Sequence, residues 1–513
     1  MATSRTLRGP PAAMTAAVVP LLLACSFTPA PSVPEAVVEM PSSFAGSELA
    51  DDYDARRWWE GFGDSALNEV VDSVLASNFD LGMAVARVQQ ARAQAGIARA
   101  RLMPALQVTG TASDQDTPGN TGFGQQIGEF LPEGVEPPER LGVTTYSLGV
   151  DFAYEIDFWG RARNDAAAAG AQYLATESDY HAARIGVLAT AIATYFEIAD
   201  LRRQVSLAEE LVVVLGEREA MAEERYESGL ASSLELRALR VDVRSAQAGL
   251  PQLRTMLVHA EGRLAVLLGG YRDDLLALLP AATQPTVTAD PVAAGLPATL
   301  LYQRPDVRAA GQRLDAARFA IGARRAEQLP NLSLAGTIGL QSADTDGLLD
   351  VDQWFRNLVG NLTAPIFQGG RIRKNIALAE ARFREAAAAF GRTVVTAVHE
   401  VEGALAALTE EGRRHSLLES RREEALASAD LFRERYLGGI ASYGDYLDSR
   451  RALLGVEAAF AASTRDLALA RLAVHRALGG DWVPADDLAA RGQTSHVRMV
   501  AGGTEAAVEE DGR

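Results

Sequence analysis

The chain has almost no cysteine and an excess of negative charge. Cys25 is its only cysteine among 513 residues, which excludes an internal disulfide. The formal net charge of −18 argues against a nucleic-acid partner, because such a partner requires a basic surface. Beyond residue 24 there is no run of about 18 apolar residues, so the sequence predicts no transmembrane helix. A chain of this kind can cross a membrane only as a closed β-barrel, which satisfies its backbone hydrogen bonds in lipid.

The chain also lacks the signatures of catalysis. His399-Glu400 begins the pattern of a zinc-protease helix, but Gly403 stands where the second histidine is required. There is no phosphate-binding loop and no nucleophile elbow, while Arg304-Pro305-Asp306 is typical of a helix start. We therefore expect no enzyme, no catalytic residue, no metal site and no cofactor.

The N-terminus carries an export signal. Arg5 and Arg8 precede a mostly apolar run over 12–24, which is too short to span a bilayer. Cys25 follows the small residue Ala24, and this order resembles a lipoprotein signal, in which the cysteine thiol receives a covalent lipid. The alternative is an ordinary signal peptide with an incidental cysteine. Ser26, in place of an aspartate, favours the outer membrane for the anchored protein.

The two halves of the chain repeat each other. Gly160-Arg161-Ala162-Arg163 matches Gly370-Arg371-Ile372-Arg373 at an offset of 210 (370 − 160), and Arg225-Tyr226 matches Arg435-Tyr436 at the same offset. Upstream the offset is 226, so the first half has 16 extra residues (226 − 210), which we assign to a surface loop within Asp114–Arg140. The predicted segments are a signal peptide (1–24), an extended lipidated segment (25–64), a first repeat (65–269), a linker (270–303), a second repeat (304–478) and a C-terminal segment (479–513) with a disordered acidic tail.

Long helices dominate each repeat. The predicted helices cover 65–103, 160–228 and 233–268, then 304–329, 370–438 and 443–478. Gly229 and Gly439 each interrupt a helical pattern and predict a helical hairpin. A helix of about 70 residues is about 100 Å long, which favours coiled-coil packing of a long cylinder. The alternative from these helices alone is an all-helical coiled-coil filament.

The strand patterns argue against a filament. From Tyr146 to Phe158 every even position is apolar, while Asp151, Glu155 and Asp157 lie on the odd face. A long strand with one apolar and one charged face is typical of a membrane barrel with lipid outside and water inside. The stretch 331–340 repeats this alternation, and a weaker fourth strand has Leu358, Leu362 and Ile366 on one face. Four strands cannot close a membrane barrel, whereas three copies supply twelve.

Several motifs in one order resemble TolC-like outer-membrane efflux proteins, specifically the NodT/OprM-like lipoprotein branch found in resistance–nodulation–division efflux systems. The motifs are Trp58-Trp59-Glu60-Gly61-Phe62-Gly63-Asp64, Asp157-Phe158-Trp159-Gly160-Arg161, Leu300-Leu301-Tyr302-Gln303-Arg304-Pro305-Asp306, Pro365-Ile366-Phe367-Gln368-Gly369-Gly370-Arg371 and the two Gly-Leu/Ile-Ala-Ser turns. The resemblance covers residues 25 to about 484. It implies a mostly α protein with membrane β-strands, in which a homotrimer forms a twelve-helix α-barrel and a twelve-stranded outer-membrane β-barrel.

The resemblance also implies a function and a gate. The trimer would be the passive exit duct for drugs and other small molecules, fed by a periplasmic adaptor and an inner-membrane pump. Asp445 and Asp448 align with an acidic ring at the periplasmic tip, and Glu235 and Tyr436 with a gate-holding acid and its partner. Ala441 occupies the position where an arginine latch could lie. The alternative for the two aspartates is a pair of solvated acids at a helix start.

Two other functions remain open at this point. The same fold would serve as the outer-membrane component of a type I protein secretion system. A lipid-anchored structural coiled coil without a pore is the other alternative.

Overall fold

The computed structural model describes residues 57–119, 139–273, 275, 279 and 304–480. Cys25, the predicted signal peptide, most of the predicted linker and the predicted acidic tail lie outside these residues. The helices are α1 (Ser65–Ser77), α2 (Phe79–Ala100), α3 (Arg161–Glu227), α4 (Ser233–Leu267), α5 (Pro305–Ala326), α6 (Arg371–Leu437) and α7 (Tyr443–Ala477). The strands are β1 (Ala105–Pro118), β2 (Arg140–Ile156), β3 (Asn331–Ser342) and β4 (Trp354–Thr363).

The predicted duplication is confirmed by the helix lengths. Helices α3 and α6 each have 67 residues, and α4 and α7 each have 35 residues. At about 1.5 Å per residue, α3 and α6 are each about 100 Å long. Each half therefore builds one long helical hairpin, and the two strands of that half lie before the start of its longest helix.

The strands form one antiparallel sheet in the order β1-β2-β3-β4. Val108 pairs with Val150, Val150 with Ile338, and Ile338 with Arg356, so even positions of all four strands share one face. The apolar side chains on that face are exposed within the chain, for example Val108 (74%) and Leu358 (74%). An apolar face left open by a single chain requires a cover, and lipid provides one.

The structure narrows the predicted surface loop and corrects one predicted strand boundary. Asp114 belongs to β1 and Arg140 to β2, so the loop predicted within Asp114–Arg140 begins no earlier than residue 119, and its residues 120–138 lie outside the described residues. The side chains of Thr144 and Arg140 bond Asp114 and Asp116, at 2.9 Å and 2.8 Å, and extend the hairpin. Strand β4 ends at Thr363, so Ile366 is outside it.

The first predicted helix, over 65–103, is two helices. Asn78 separates them with extended backbone angles (φ −67°, ψ 126°). Its side-chain oxygen accepts a hydrogen bond from the Leu81 amide at 3.0 Å, and its side-chain amide donates to the Leu267 carbonyl at 2.8 Å. Asn78 thus caps α2 and ties it to the end of α4, a contact that sequence periodicity does not reveal.

The main core lies around the middle of the helical body. Trp58–Phe62 is a short 3-10 helix, which corrects the expectation of an extended segment up to residue 64. Trp58, Trp59 and Phe62 are buried in a cluster with Phe196 of α3. Part of the predicted linker also packs here, since Leu275 and Leu279 belong to the same cluster and Arg272 donates to the buried Glu261 carboxylate at 2.8 Å.

One helix qualifies the expectation that no apolar run follows residue 24. Within the described ranges, Arg161–Glu227 has an 18-residue window with a mean hydropathy of 1.3, long and apolar enough for a membrane span. Half of that window is buried inside the chain, and Leu188, Ile192 and Phe196 belong to the main core. The window is therefore accounted for by packing within the helical body.

We expect His475 to make the stability of the protein pH-dependent. His475 stacks on Trp58 with ring centroids 4.7 Å apart, and burial together with the Arg471 guanidinium lowers the pKa of its imidazole to about 3. The unfolded chain takes up a proton near the ordinary histidine pKa of about 6.5, whereas the folded chain does not, so stability is lost as the pH falls from about 6.5 towards 3. Thermal unfolding in detergent at pH 7 and pH 5 measures the loss.

His475→Phe keeps an aromatic ring against Trp58 but cannot titrate. The fall in melting temperature between pH 7 and pH 5 should be smaller in this variant than in the wild type. His399→Phe is the matched control, because the His399 side chain is 74% exposed. Equal pH dependence in wild type and His475→Phe would contradict the assignment.

Candidate functional site

The two hairpin turns at the far end of the helical body have the same geometry. Gly229 and Gly439 adopt left-handed conformations, with φ of 74° and 73°. The Leu230 amide donates to the Arg225 carbonyl at 2.7 Å, and the Ile440 amide donates to the Arg435 carbonyl at 2.8 Å. Glycine is favoured at this position because a side chain would strain a positive φ. The turns lie about 100 Å along α3 and α6 from the strand end of the molecule.

A serine caps the helix that follows each turn. The Ser232 hydroxyl accepts from the Glu235 amide at 3.2 Å, and the Ser442 hydroxyl accepts from the Asp445 amide at 3.1 Å. In the second turn the Asp445 carboxylate also accepts from the Ser442 amide at 3.0 Å, which completes a capping box. The Ser442 hydroxyl also donates to this carboxylate at 2.7 Å, and this hydrogen bond, together with the one from the Ser442 amide, lowers the pKa of Asp445 below its usual range. Asp445 therefore stays ionised at the start of α7.

Asp445 and Asp448 lie beside one groove between α6 and α7. The groove has a volume of about 270 Å³. It is lined by Ala425, Ser428, Phe432, Asp445, Asp448, Ser449, Ala452 and Leu453. Asp445 has a second role as a capping residue, so both interpretations of the sequence, a helix-start acid and a tip carboxylate, fit its position.

Asp448 joins the two hairpins. Its carboxylate forms an ion pair with Arg218 of α3, in the other half of the chain. Next to it the Tyr443 hydroxyl donates to Glu217 of α3 at 2.8 Å, which raises the pKa of Tyr443 to about 12. Tyr443 therefore remains a hydrogen-bond donor throughout the physiological pH range.

The contacts between the hairpins continue along α3 and α7 towards the core. Arg450 pairs with Glu210, and Arg203 pairs with Glu457 at 2.9 Å. Arg465 pairs at 2.6 Å with Asp200, whose side chain is only 3% exposed. We call Arg218–Asp448, Tyr443–Glu217 and Arg450–Glu210 the inter-hairpin links. Sequence reasoning did not identify them, since their partners are 226–240 residues apart.

Glu235 and Tyr436 do not meet within one chain in the part that the structure describes. Glu235 occupies the first turn of α4. Tyr436 instead packs against Tyr443 and Tyr446, with ring centroids 5.0 Å and 6.2 Å away. The predicted pairing of Glu235 with Tyr436 stays a prediction.

The odd face of the sheet is polar. Thr109 of β1 and Thr337 of β3 each donate to the Asp151 carboxylate at 2.6 Å, so one acid of β2 ties three strands together. Gln107 lies next to Thr109 on this face, and its pairing partner is Asp151. A polar face opposite an apolar one gives the sheet a side for water and a side for lipid.

The residues in the described ranges include no group of three or more histidine, cysteine or acidic side chains that could hold a metal ion. The chemistry of the tip is thus that of carboxylates, guanidinium groups and tyrosines. Such groups attract or repel passing ions and hold helices together.

A family model for the outer membrane efflux protein matches residues 70–270 and 296–480, one segment in each half. The outer membrane protein OprJ of Pseudomonas aeruginosa is 32% identical over 482 residues, which cover 93% of this chain and 97% of OprJ. The toluene efflux pump outer membrane protein TtgI of Pseudomonas putida is 32% identical, over 82% of this chain and 87% of TtgI. Among solved structures, the Campylobacter jejuni CmeC outer membrane channel superposes with a TM-score of 0.79 at 26% identity, over 91% of this chain and 98% of that chain.

Proposed function

The chain belongs to the outer membrane efflux protein family, and we propose that three copies of it form the exit duct of a tripartite efflux system. Its place is the outer membrane, from which the helical hairpins extend into the periplasm. TtgI is, by its name, part of a toluene pump. This relative favours small molecules as the cargo over the secreted proteins of a type I system.

The four-stranded sheet is the observation that carries this proposal. In the described part of the chain it has two unpaired edges, an exposed apolar face and a polar face centred on Asp151. One chain cannot close such a sheet into a membrane barrel, since the smallest barrels need about eight strands. Three copies provide twelve strands and six hairpins, which support a β-barrel continued by an α-barrel.

The remaining parts of the proposal concern partners and chemistry. A periplasmic adaptor would contact the tips of the hairpins, and an inner-membrane pump would drive transport. The chain itself carries out no reaction and requires no cofactor, since it conducts passively. Asp445 and Asp448 of three copies would place six carboxylates near the tip, and such a ring favours cations over anions.

Reconstitution into planar bilayers tests the proposed function. The purified protein should migrate as a heat-sensitive trimer and give discrete conductance steps with a preference for cations. Deletion of the gene should make cells more sensitive to small toxic compounds. A monomer without conductance would refute the duct and would favour the structural coiled coil.

The lipid anchor is tested by Cys25→Ser. This variant should lose labelling by a radioactive fatty acid and should mature slowly, since Cys25 is the only thiol in the chain. Conductance should be retained, because the barrel itself holds the protein in lipid. Undiminished labelling of Cys25→Ser would show that the N-terminus is not a lipoprotein signal.

A further inference from the structure

Strands β1 and β4 are the two edges of the sheet, and each has one partner strand among the residues that the structure describes. We propose that Arg356 on β4 of one copy forms a salt bridge with Asp114 on β1 of the next copy, on the outer face of the barrel. This ion pair sets the register in which three sheets close. The inference rests on the proposed trimer and adds to it a specific pair of side chains.

Arg356 is a charge on the apolar face. It lies opposite Ile338, on the same face as Val150 and Val108. Among the residues that the structure describes, no carboxylate pairs with Arg356, and its side chain is exposed. An arginine on the lipid side of a barrel costs about 2–4 kcal/mol at the bilayer midplane and less near its edge. A carboxylate of a neighbouring copy would offset part of this cost.

Strand lengths limit where β4 can pair. Strand β4 has 10 residues and β1 has 14. We require that every residue of β4 (Trp354–Thr363) pairs with a residue of β1 (Ala105–Pro118) in an antiparallel arrangement. Under this condition Arg356 faces a residue between Ala112 and Asp116. Because facing residues share a side of the sheet, the partner is even-numbered and is Ala112, Asp114 or Asp116.

Barrel geometry narrows this choice. Within one sheet, the row of directly paired residues runs from Val108 across β2 and β3 to Arg356. In a barrel without stagger, Arg356 would therefore face Val108 of the next copy. Strands in a barrel tilt by about 35–45° and lie about 4.8 Å apart, so each strand is displaced along its axis relative to its neighbour. Over the four strands of one copy, this displacement moves the residue that faces Arg356 by about four to six positions along β1. Starting from Val108, this shift leads to Ala112 or Asp114 and excludes Asp116.

Charge selects Asp114 over Ala112. Of these two positions, only Asp114 places a carboxylate directly opposite the Arg356 guanidinium, and Leu358 and Leu362 then face Ala112 and Val108. The Thr144 hydroxyl donates to the Asp114 carboxylate at 2.9 Å and leaves it other acceptor sites. Asp116 already pairs with Arg140 of its own chain, at 2.8 Å.

Disulfide trapping tests the register. Arg356→Cys is combined in turn with Cys at Val108, Gly110, Ala112, Asp114 and Asp116, and with Gln115→Cys on the opposite face. Facing residues of antiparallel strands have Cα atoms about 4.5–5.5 Å apart, within the range for a disulfide, whereas positions two residues away are too far. Oxidation should give covalent dimers and trimers most efficiently with Asp114→Cys.

The single Arg356→Cys variant controls for linkage through Cys25. A maximum at any position other than Asp114 would overturn the proposed register. A trimer that conducts normally but cross-links at another position would contradict only the proposed register and not the proposed exit duct. The absence of any trimer would refute both the exit duct and the pairing of β4 with β1 of the next copy.

A charge swap tests the salt bridge itself. Arg356→Asp should lower the temperature at which the trimer dissociates in detergent, and Arg356→Asp/Asp114→Arg should restore most of the loss. Asp116→Arg in place of Asp114→Arg is the matched control and should not restore it. If Arg356 instead contacts a lipid phosphate, neither second change will restore stability, and this result would overturn the pairing.

Discussion

The triple variant Glu210→Gln/Glu217→Gln/Asp448→Asn is expected to raise the single-channel conductance of the reconstituted protein several-fold. These acids hold α3 of the first hairpin to α7 of the second through Arg450, Tyr443 and Arg218. Their amides keep the side-chain volume and weaken every inter-hairpin link. Separation of the hairpins at the tip then costs less free energy, and separation widens the duct.

The number of links decides the size of this effect. One partly exposed ion pair contributes only about 0.5 kcal/mol. Three links in each of three copies contribute together about 4–5 kcal/mol, which corresponds to about a thousandfold change in the ratio of separated to joined hairpins. The lost acids weaken the attraction for cations, so a rise in conductance cannot come from the change in charge.

Glu209→Gln/Glu219→Gln/Glu223→Gln is the matched control. These three acids also lie on α3, but they pair with Arg254 and Arg240 of α4, within the first hairpin. The control removes the same charge without loosening one hairpin from the other, and its conductance should not rise. A similar rise in both variants, or in neither, would contradict the role of the inter-hairpin links.

The second large effect is expected from Gly339→Val in the sheet. Gly339 of β3 faces Gly149 of β2. A β-carbon at position 339 would lie 2.6 Å from the Gly149 Cα and would overlap the Leu148 carbonyl oxygen. Backbone atoms cannot move aside without breaking the pairing of β2 with β3, so we expect the assembled trimer to be largely lost from the outer membrane. Heat-sensitive trimer on a semi-native gel is the measurement.

Gly142→Val is the control for this variant. Gly142 lies on β2, and a β-carbon built there meets no atom within 4 Å. Both substitutions replace glycine by a residue that favours strands, so propensity alone predicts a gain in each case. Normal trimer levels in Gly339→Val would show that β2 and β3 are not paired as closely as the structure has them.

Much of the helical architecture was predictable from the sequence. The predicted helix over 160–228 is α3 (Arg161–Glu227), and that over 443–478 is α7 (Tyr443–Ala477). These boundaries coincide with glycines and capping serines, whose effect is local. The break at Asn78 was missed although its cap on the Leu81 amide is local, whereas its second hydrogen bond, to Leu267, joins residues 189 apart and has no local signature.

The candidate site was predictable only in part. Gly229, Gly439, Asp445 and Asp448 stand out because turns and helix starts have local signatures. Arg218, Glu210 and Glu217 look like ordinary surface charges of a long helix, and nothing in their spacing indicates a partner on α7. The gate roles of Glu235 and Tyr436, like the lipid on Cys25, stay predictions.

The sequence by itself determined the duplicated order of helices and strands, the turn positions and the apolar face of the second and third strands. Each of these depends on backbone preferences and periodicity within a few residues. The tertiary structure alone decided which hairpin acids meet which arginines, how the Trp58–Phe62 turn enters the core, and which edges of the sheet stay open. Those contacts join residues far apart in the chain, and their energy depends on distances that only the packed molecule defines.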